Sequence, residues 1–285
     1  ATVYTGTSPH GQGHETAWAM LAHDETGIPM DQITLIWGDT DLVPTGGGTM
    51  GSRSLQQGGA AVHQGAIELV EKATQLAAQL LEADEADIVL DKDNAAFHVA
   101  GTPAVSKSWA ELAVASRQQG DELTIDTLFV ADMATFPFGA HIAVVEVDTE
   151  TGSVEMVRHI AVDDCGKILN PLLVTGQQHG GIAQGAAQAL FEGVFYDDDG
   201  NPVTGNLMNY AIPAASELCS FETSNTETPS PRNPLGAKGI GESGTIGSTP
   251  AIHNAVVDAV SHLGVKHIDM PLTAMTVWNA MQAAG

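Results

Sequence analysis

One carboxylate stands out by its setting. Glu242 lies between Gly241 and Ser243 in the run Gly239-Ile240-Gly241-Glu242-Ser243, a loop without an apolar anchor for its side chain. A glutamate placed there does little for a core, whereas a carboxylate tuned by partial burial toward the working pH can act as a general base. Taken alone, it reads more readily as a solvated surface glutamate than as a base. Three more turns share the glycine pattern: Gly11-Gln12-Gly13-His14-Glu15, Gly51-Ser52-Arg53-Ser54, and Gly176-Gln177-Gln178-His179-Gly180-Gly181. The first two and the Glu242 loop precede expected helices, and the Gly176 turn lies within or beside one. Helix starts offer unpaired N–H donors and a positive dipole end, and glycine lets an anion approach the backbone. Any single turn of this kind needs only tight-turn geometry to explain it. Four in one acidic chain point to an elongated anionic ligand, gripped by main chain and by Gln and Ser side chains.

Three other patterns suggest chemistry and fail on context. Gly239-x-Gly241-x-x-Gly244 fits the dinucleotide fingerprint, but the Pro-rich stretch before it replaces the buried strand that fingerprint requires. His10 and His14 have i, i+4 spacing, yet Gly11 and Gly13 break a helix there and no third zinc ligand is near. Asp197-Asp198-Asp199-Gly200 resembles part of a calcium loop without its closing glutamate, so a hairpin turn explains it better.

The elements that position these residues follow from periodicity. A strand over 3–7 leads through the first glycine turn into a helix over 15–26, whose Ala17, Met20 and Leu21 form one face. A strand over 33–37 precedes the Gly46-Gly47-Gly48 loop, and a long amphipathic helix covers about 55–83. Residues 88–90 and 96–99 make a hairpin, and 109–119 a further helix. Residues 141–147 and 154–162 form a second hairpin. Pro171 starts a helix to about Leu190. A hairpin over 195–203, a helix from Pro250 to about Leu263 and a last helix over 272–284 complete the chain. Hairpins mixed with strand–helix units predict an α+β fold with mixed sheets, divided into subdomains 1–137 and 138–285.

The chain has 285 residues, 43% of them hydrophobic, and can bury a substantial core. Ten Lys and Arg against 35 Asp and Glu give a net charge of −25, which disfavours nucleic acid and anionic membrane partners. With cations so scarce, backbone N–H groups must hold any bound anion. Cys165 and Cys219 lack metal or disulfide spacing, which fits a reducing cytoplasm. No apolar run reaches the roughly 18 residues of a membrane span. The first residues read like strand interior, so the chain is expected to start inside a longer protein. Its exposed half-site predicts that it is unstable alone.

The ordered segments Gly11-Gln12-Gly13-His14-Glu15, Thr49-Met50-Gly51-Ser52-Arg53-Ser54, Val162-Asp163-Asp164-Cys165-Gly166 with Asn170-Pro171, Gly176-Gln177 and Gly236-Ala237-Lys238-Gly239-Ile240-Gly241-Glu242-Ser243 carry a family resemblance. The chain resembles the C-terminal part of the molybdenum-binding subunit of the xanthine dehydrogenase/aldehyde oxidoreductase family, in the branch containing aerobic carbon monoxide dehydrogenase. The resemblance implies a molybdopterin cytosine dinucleotide cofactor with molybdenum. It implies that Glu242 sits beside the metal and takes a proton from its water-derived ligand, whose oxygen then attacks an electrophilic substrate carbon. Gln12 with Gly11, Gly13 and His14, then Gly51, Ser52 and Ser54, and Gly176 with Gln177 would bind the pterin or its phosphate. Cys165 and Asn170 would lie against the nucleotide, and Lys238, Gly239 and Gly241 would border the metal end. No residue of this chain would ligate the metal, which the pterin dithiolene holds.

The implied partners are the N-terminal part of the molybdenum subunit, an iron–sulfur subunit with 2Fe-2S clusters and a flavin subunit with FAD, in a dimeric assembly. Carbon hydroxylation of an N-heterocycle or aldehyde with water as oxygen source is the expected reaction. Carbon monoxide oxidation is the enzymatic alternative, and cofactor storage or insertion the non-enzymatic one. Ser243-Gly244-Thr245-Ile246-Gly247-Ser248 leans toward the hydroxylases, and the substrate-facing loop is expected to lie in the missing part.

Overall fold

The computed structural model describes residues 1–284, which form two compact units, each with a core of its own. The first comprises Ala1–Thr135 and Ser230–Ala237; the second comprises Phe136–Pro229 and the chain from Lys238 onward.

In the first unit β1 (Thr2–Tyr4) pairs in parallel with β2 (Thr34–Ile36) after a crossover through α1 (His14–Thr26). Trp18 of α1 is almost completely buried, and its indole N–H donates to the Thr7 hydroxyl at 3.2 Å. Gly27 ends α1 at φ 70°, and a Cβ there would lie 2.4 Å from the Lys92 carbonyl oxygen. Both conditions demand glycine. The long helix expected from Leu55 opens instead with a π-helical turn, Leu55–Gly59, before α2 (Ala60–Leu81). The strands β3 (Ile88–Asp91) and β4 (Ala96–Val99) form the expected hairpin, and β5 (Thr102–Ser108) adds a third antiparallel strand not foreseen from sequence. Helix α3 (Trp109–Gln118) begins in a Ser108/Glu111 capping box, a reciprocal pair worth about 1 kcal/mol. Its Leu112 packs with Phe97 of β4 and Ala73, Leu76 and Ala77 of α2. Burying side chains as large as Leu112 and Phe97 contributes about 2–3 kcal/mol each.

In the second unit β6 (Phe138–Val147) and β7 (Val154–Asp164) form the long antiparallel hairpin read from the sequence. A third strand, β8 (Phe221–Thr226), joins β7 in parallel. Its polar run Glu-Thr-Ser-Asn-Thr hid it: Phe221 packs on the apolar core, while Glu222, Ser224 and Thr226 are exposed. Helix α4 (Pro171–Leu190) starts as expected, with the Asn170 carboxamide oxygen accepting from the N–H groups of Leu172 and Leu173 and Pro171 in the first turn. Helix α5 (Ser243–Val260) does not begin at Pro250 but carries it inside. Packing of its first two turns against α4 outweighs the hydrogen bond that proline removes. Helix α6 (Ala274–Ala284) closes the described chain. Met156, Ile252, Val256, Val260, Leu272 and Val277 are central to the core between these helices and the sheet.

The hairpin expected over 195–203 reduces to one bridge, Tyr196–Pro202. Between them the Asp197 carboxylate accepts from the N–H groups of Asp199 and Asn201, a self-contained turn. Residues 230–237, read from sequence as part of 138–285, pack with the first unit, where Arg232 pairs with Asp132 at 2.8 Å. The architecture is α+β with two-stranded parallel, three-stranded antiparallel and three-stranded mixed sheets.

Candidate functional site

Glu242 immediately precedes α5, and its carbonyl accepts from the Ile246 N–H at 3.0 Å. The loop before it is fixed at both ends. At Lys238 the backbone N–H donates to the Cys165 carbonyl at 2.7 Å, and at Ser243 the N–H donates to the Ile240 carbonyl at 3.2 Å. The Glu242 side chain is exposed rather than partly buried as expected for a tuned base.

Helix α5 is held so close to α4 that side chains are excluded from the contact. A Cβ on Gly244 would lie 2.7 Å from the Gln178 carbonyl oxygen, and one on Gly185 would lie 1.9 Å from the Ser248 hydroxyl. Glycine is needed at these two positions because backbone or a buried hydroxyl occupies the space a side chain would take. The position of Glu242 therefore follows from small residues at this contact, Gly244 and Ser248 in the first two turns of α5 and Gly181 and Gly185 on α4.

Beneath the loop, β7 ends in two consecutive buried carboxylates, Asp163 and Asp164, with Cys165 next to them. Strand alternation sends the two carboxylates to opposite faces. Asp163 accepts from the Gln178 amide at 2.9 Å and from His141 Nε2 at 3.2 Å. His141 Nδ1 lies 3.3 Å from His159 Nε2, so Asp163, His141 and His159 form one hydrogen-bonded row. Burial and the neighbouring His141 push the His159 imidazole down to about 4, against a smaller opposing pull from Asp163. Asp164 is fully buried and accepts from Lys238 Nζ, the Thr226 hydroxyl and the Gly166 N–H, each at 2.9 Å. Burial alone would raise its pKa; the hydrogen bonds outweigh that and hold it far below the usual carboxylate range. The Lys238 ammonium also lies 4.5 Å from the Phe138 ring centroid. Burial and adjacent Asp164 push the Cys165 thiol up to about 11, leaving it protonated.

In the first unit, the segment leading into the Gly11–His14 turn is tied through one hydroxyl to the Gly51–Ser54 turn. Thr49 Oγ1 accepts from the Ser8 N–H at 3.2 Å and from the Ser54 hydroxyl at 3.0 Å. The Gln12 carboxamide oxygen accepts from the His10 N–H. Gly11 and Gly13 stand at φ 103° and 78°, and Ser52 is a non-glycine at φ 50°. Such backbone at a serine costs on the order of 1 kcal/mol and is characteristic of ligand clamps. His14 is buried and stacked on Trp18, with its Nδ1 lacking a hydrogen-bond partner.

Within each unit, these features leave backbone and polar atoms open to an anionic or polar group. Gly11 and Gly51 stand at positive φ, which itself favours glycine, whereas a Cβ on Gly176 would meet nothing within 4 Å and its backbone is helical. Gly176 is the clearest, since a glycine inside a helix costs about 1 kcal/mol relative to alanine. Buried polar atoms also await partners at His14 Nδ1 in the first unit and Ser243 Oγ in the second. Among the described residues no group of three His, Cys, Asp or Glu could hold a metal ion, and no helix is long and apolar enough to cross a membrane.

The sequence-derived set falls into two kinds. Asn170 caps α4 with its side-chain oxygen and Lys238 is paired with Asp164 in the interior, so both act in the scaffold. Gln177 is half-buried on α4 beside exposed Gly176, while the neighbouring Gln178 is the fully buried one. Asp163, Asp164, His141 and Gln178 were not singled out for roles. Two adjacent acids closing an apolar strand are the signal that could have found them, because buried carboxylates demand donors.

The comparisons agree with this picture. Residues 1–219 match the family model described as a molybdopterin cofactor-binding domain. The chain is 40% identical over 287 residues to the carbon monoxide dehydrogenase large chain of Hydrogenophaga pseudoflava, covering 99% of this chain and 36% of that one. It is 36% identical to the nicotine 6-hydroxylase large subunit of Paenarthrobacter nicotinovorans, covering 98% and 35%. The crystal structure of a Cu,Mo-CO dehydrogenase superposes with a TM-score of 0.87 at 39% identity, over 100% of this chain and 36% of that one. Quinoline 2-oxidoreductase from Pseudomonas putida 86 gives 0.84 at 37%, over 99% and 36%. The chain thus spans about a third of the length of the curated relatives it matches. It belongs to the molybdopterin cofactor-binding domain family, in the group of molybdenum-binding subunits related to xanthine dehydrogenase and carbon monoxide dehydrogenase.

Proposed function

We propose that this chain forms part of a molybdenum hydroxylase, holds molybdopterin cytosine dinucleotide and supplies Glu242 as the general base. The observation that carries the reading is the Glu242 loop, anchored at both ends in a member of this cofactor-binding family and presenting an exposed carboxylate. When bound, the cofactor supplies the two-electron oxidation of a substrate carbon with oxygen from water. Gly11, Gln12, Gly13 and His14, and Gly51, Ser52 and Ser54, present N–H and side-chain donors to the pterin and its phosphates. Gly176 leaves an open helix surface for the same ligand, with Gln177 as a donor beside it. Cys165 and Asn170 border the nucleotide, and Gly239 and Gly241 allow close approach at the reacting end. Glu242 then accepts the proton released as water-derived oxygen bonds to carbon. Partner chains would carry the 2Fe-2S clusters and FAD in a dimeric cytoplasmic assembly.

The hydroxylase lean drawn from residues 243–248 gains nothing from the comparisons, since identities of 40% to a carbon monoxide dehydrogenase and 36% to a nicotine hydroxylase do not separate the two. Carbon monoxide oxidation is therefore the second reading. Metal and nucleotide analysis of the purified complex tests both, with molybdenum and a cytosine nucleotide expected; a complex without molybdenum sinks them together. Glu242→Gln should keep the cofactor and lose at least about a thousand-fold in turnover, the scale of removing a general base. Turnover on N-heterocycles, aldehydes and carbon monoxide, measured side by side, decides the substrate class.

A further inference from the structure

The proposed chemistry makes no use of Asp164, yet its surroundings are unusually costly. A carboxylate with no solvent exposure must be matched by donors, and four groups converge on it: Lys238 Nζ, the hydroxyls of Thr226 and Thr228, and the Gly166 N–H. They come from three places in the second unit: the end of β8 and the segment after it, the turn after β7, and the start of the Glu242 loop. A purely structural site could be filled with apolar side chains at lower cost, since replacing a buried ion pair by well-packed apolar groups is often neutral or stabilising. Retention of the pair is explained if geometry at Lys238 matters more than stability.

We infer that Asp164 is a positioning residue for Glu242, acting through Lys238. The inference rests on the proposed role of Glu242 as base. Lys238 is the fixed entry to the four-residue span that ends in Glu242. Its backbone N–H is tied to the Cys165 carbonyl and its ammonium to Asp164, the residue just before Cys165. One short stretch of β7 therefore grips Lys238 twice, by main chain and by side chain, and removes the rotation that a single hydrogen bond would allow. The other end of the span is fixed by α5 packed on α4. Between these two ends Gly239 and Gly241 add no side chain that would stop a shift at Lys238 from passing along the span toward Glu242. A misplacement of about 1 Å at a reacting group can cost about a hundred-fold in rate.

The test uses the complete holoenzyme with Asp164→Asn, which keeps the size and removes the charge. Turnover per bound molybdenum should fall about 30-fold with KM changed by less than about threefold, since a base out of place affects the transition state more than binding. Amide exchange at residues 239–243 should quicken about tenfold or more while the α6 amides stay protected, because only the span is released. Unchanged exchange at 239–243 overturns the proposal, whatever the activity does. So does normal turnover per molybdenum. Thr226→Val, which removes one donor and spares the ion pair, serves if the asparagine variant fails to fold. It should quicken the same amides by about threefold, and uniform exchange across the unit would show a merely structural role. Full turnover in Glu242→Gln would instead refute the base assignment, leaving the exchange result to judge the grip on the loop.

Discussion

His159 illustrates how a single buried ring sets a pH limit. Its imidazole is pushed from an ordinary 6.5 to about 4, first by burial and then by His141. The unfolded chain thus binds a proton below 6.5 that the folded chain refuses until about 4. Stability contributed by neutral His159 is complete above pH 6.5 and declines as pH falls toward 4. The full loss is at most about 3 kcal/mol for a ring with no solvent exposure. Urea midpoints measured from pH 7 to 5 should fall in the natural protein and fall less steeply in His159→Leu. Parallel slopes would show that the ring does not control this range. The same residue shows a limit of sequence reading. Glu242 is conspicuous because glycines surround it, whereas His159 sits in an ordinary apolar strand, and only the fold reveals His141 and Asp163 beside it.

Between elements, the α4–α5 contact is the decisive one. Gly244→Ala forces a methyl against main-chain atoms, 2.7 Å from both the Gln178 carbonyl oxygen and the Ile182 nitrogen. It should destabilise the protein by about 1–3 kcal/mol. Gly180 in α4 provides the control: a Cβ there meets nothing within 4 Å. Gly180→Ala should leave stability unchanged or raise it by up to about 1 kcal/mol through helix propensity. Comparing the two urea midpoints checks the claim, and equal effects would remove the case for close helix packing. Helices and hairpins with regular apolar periods were legible in the sequence: α1, α3, α4 and the β6–β7 pair fall where their patterns place them. β8 was missed because five of its six residues are polar, which hides the strand period, and α5 was begun too late because Pro250 signalled a start that packing overrode. At the site, the glycine turns and Glu242 were visible as motifs. The scaffold roles of Lys238 and Asn170 were not, because side-chain pairing is decided in three dimensions.

At the scale of the molecule, the unusual feature is that the first unit is built from two separated stretches of chain. Residues 230–237 brace themselves, with Asn233 bonded both ways to Ala237 and the Ser230 N–H donating to the Gly236 carbonyl, and Arg232 pairs with Asp132. A fragment ending at Thr135 should therefore be cut by protease faster than the same unit within the longer chain, by about the ratio that 1–2 kcal/mol implies, roughly tenfold. Equal cleavage rates would mean that the segment adds nothing to the unit's stability. The arrangement also has a consequence for synthesis. A ribosome that has finished residue 135 has made most of the first unit but must translate most of the second before residue 237 can emerge and complete it. The two units therefore cannot mature strictly in order of their codons, and the early part must wait, incompletely closed, for the late one.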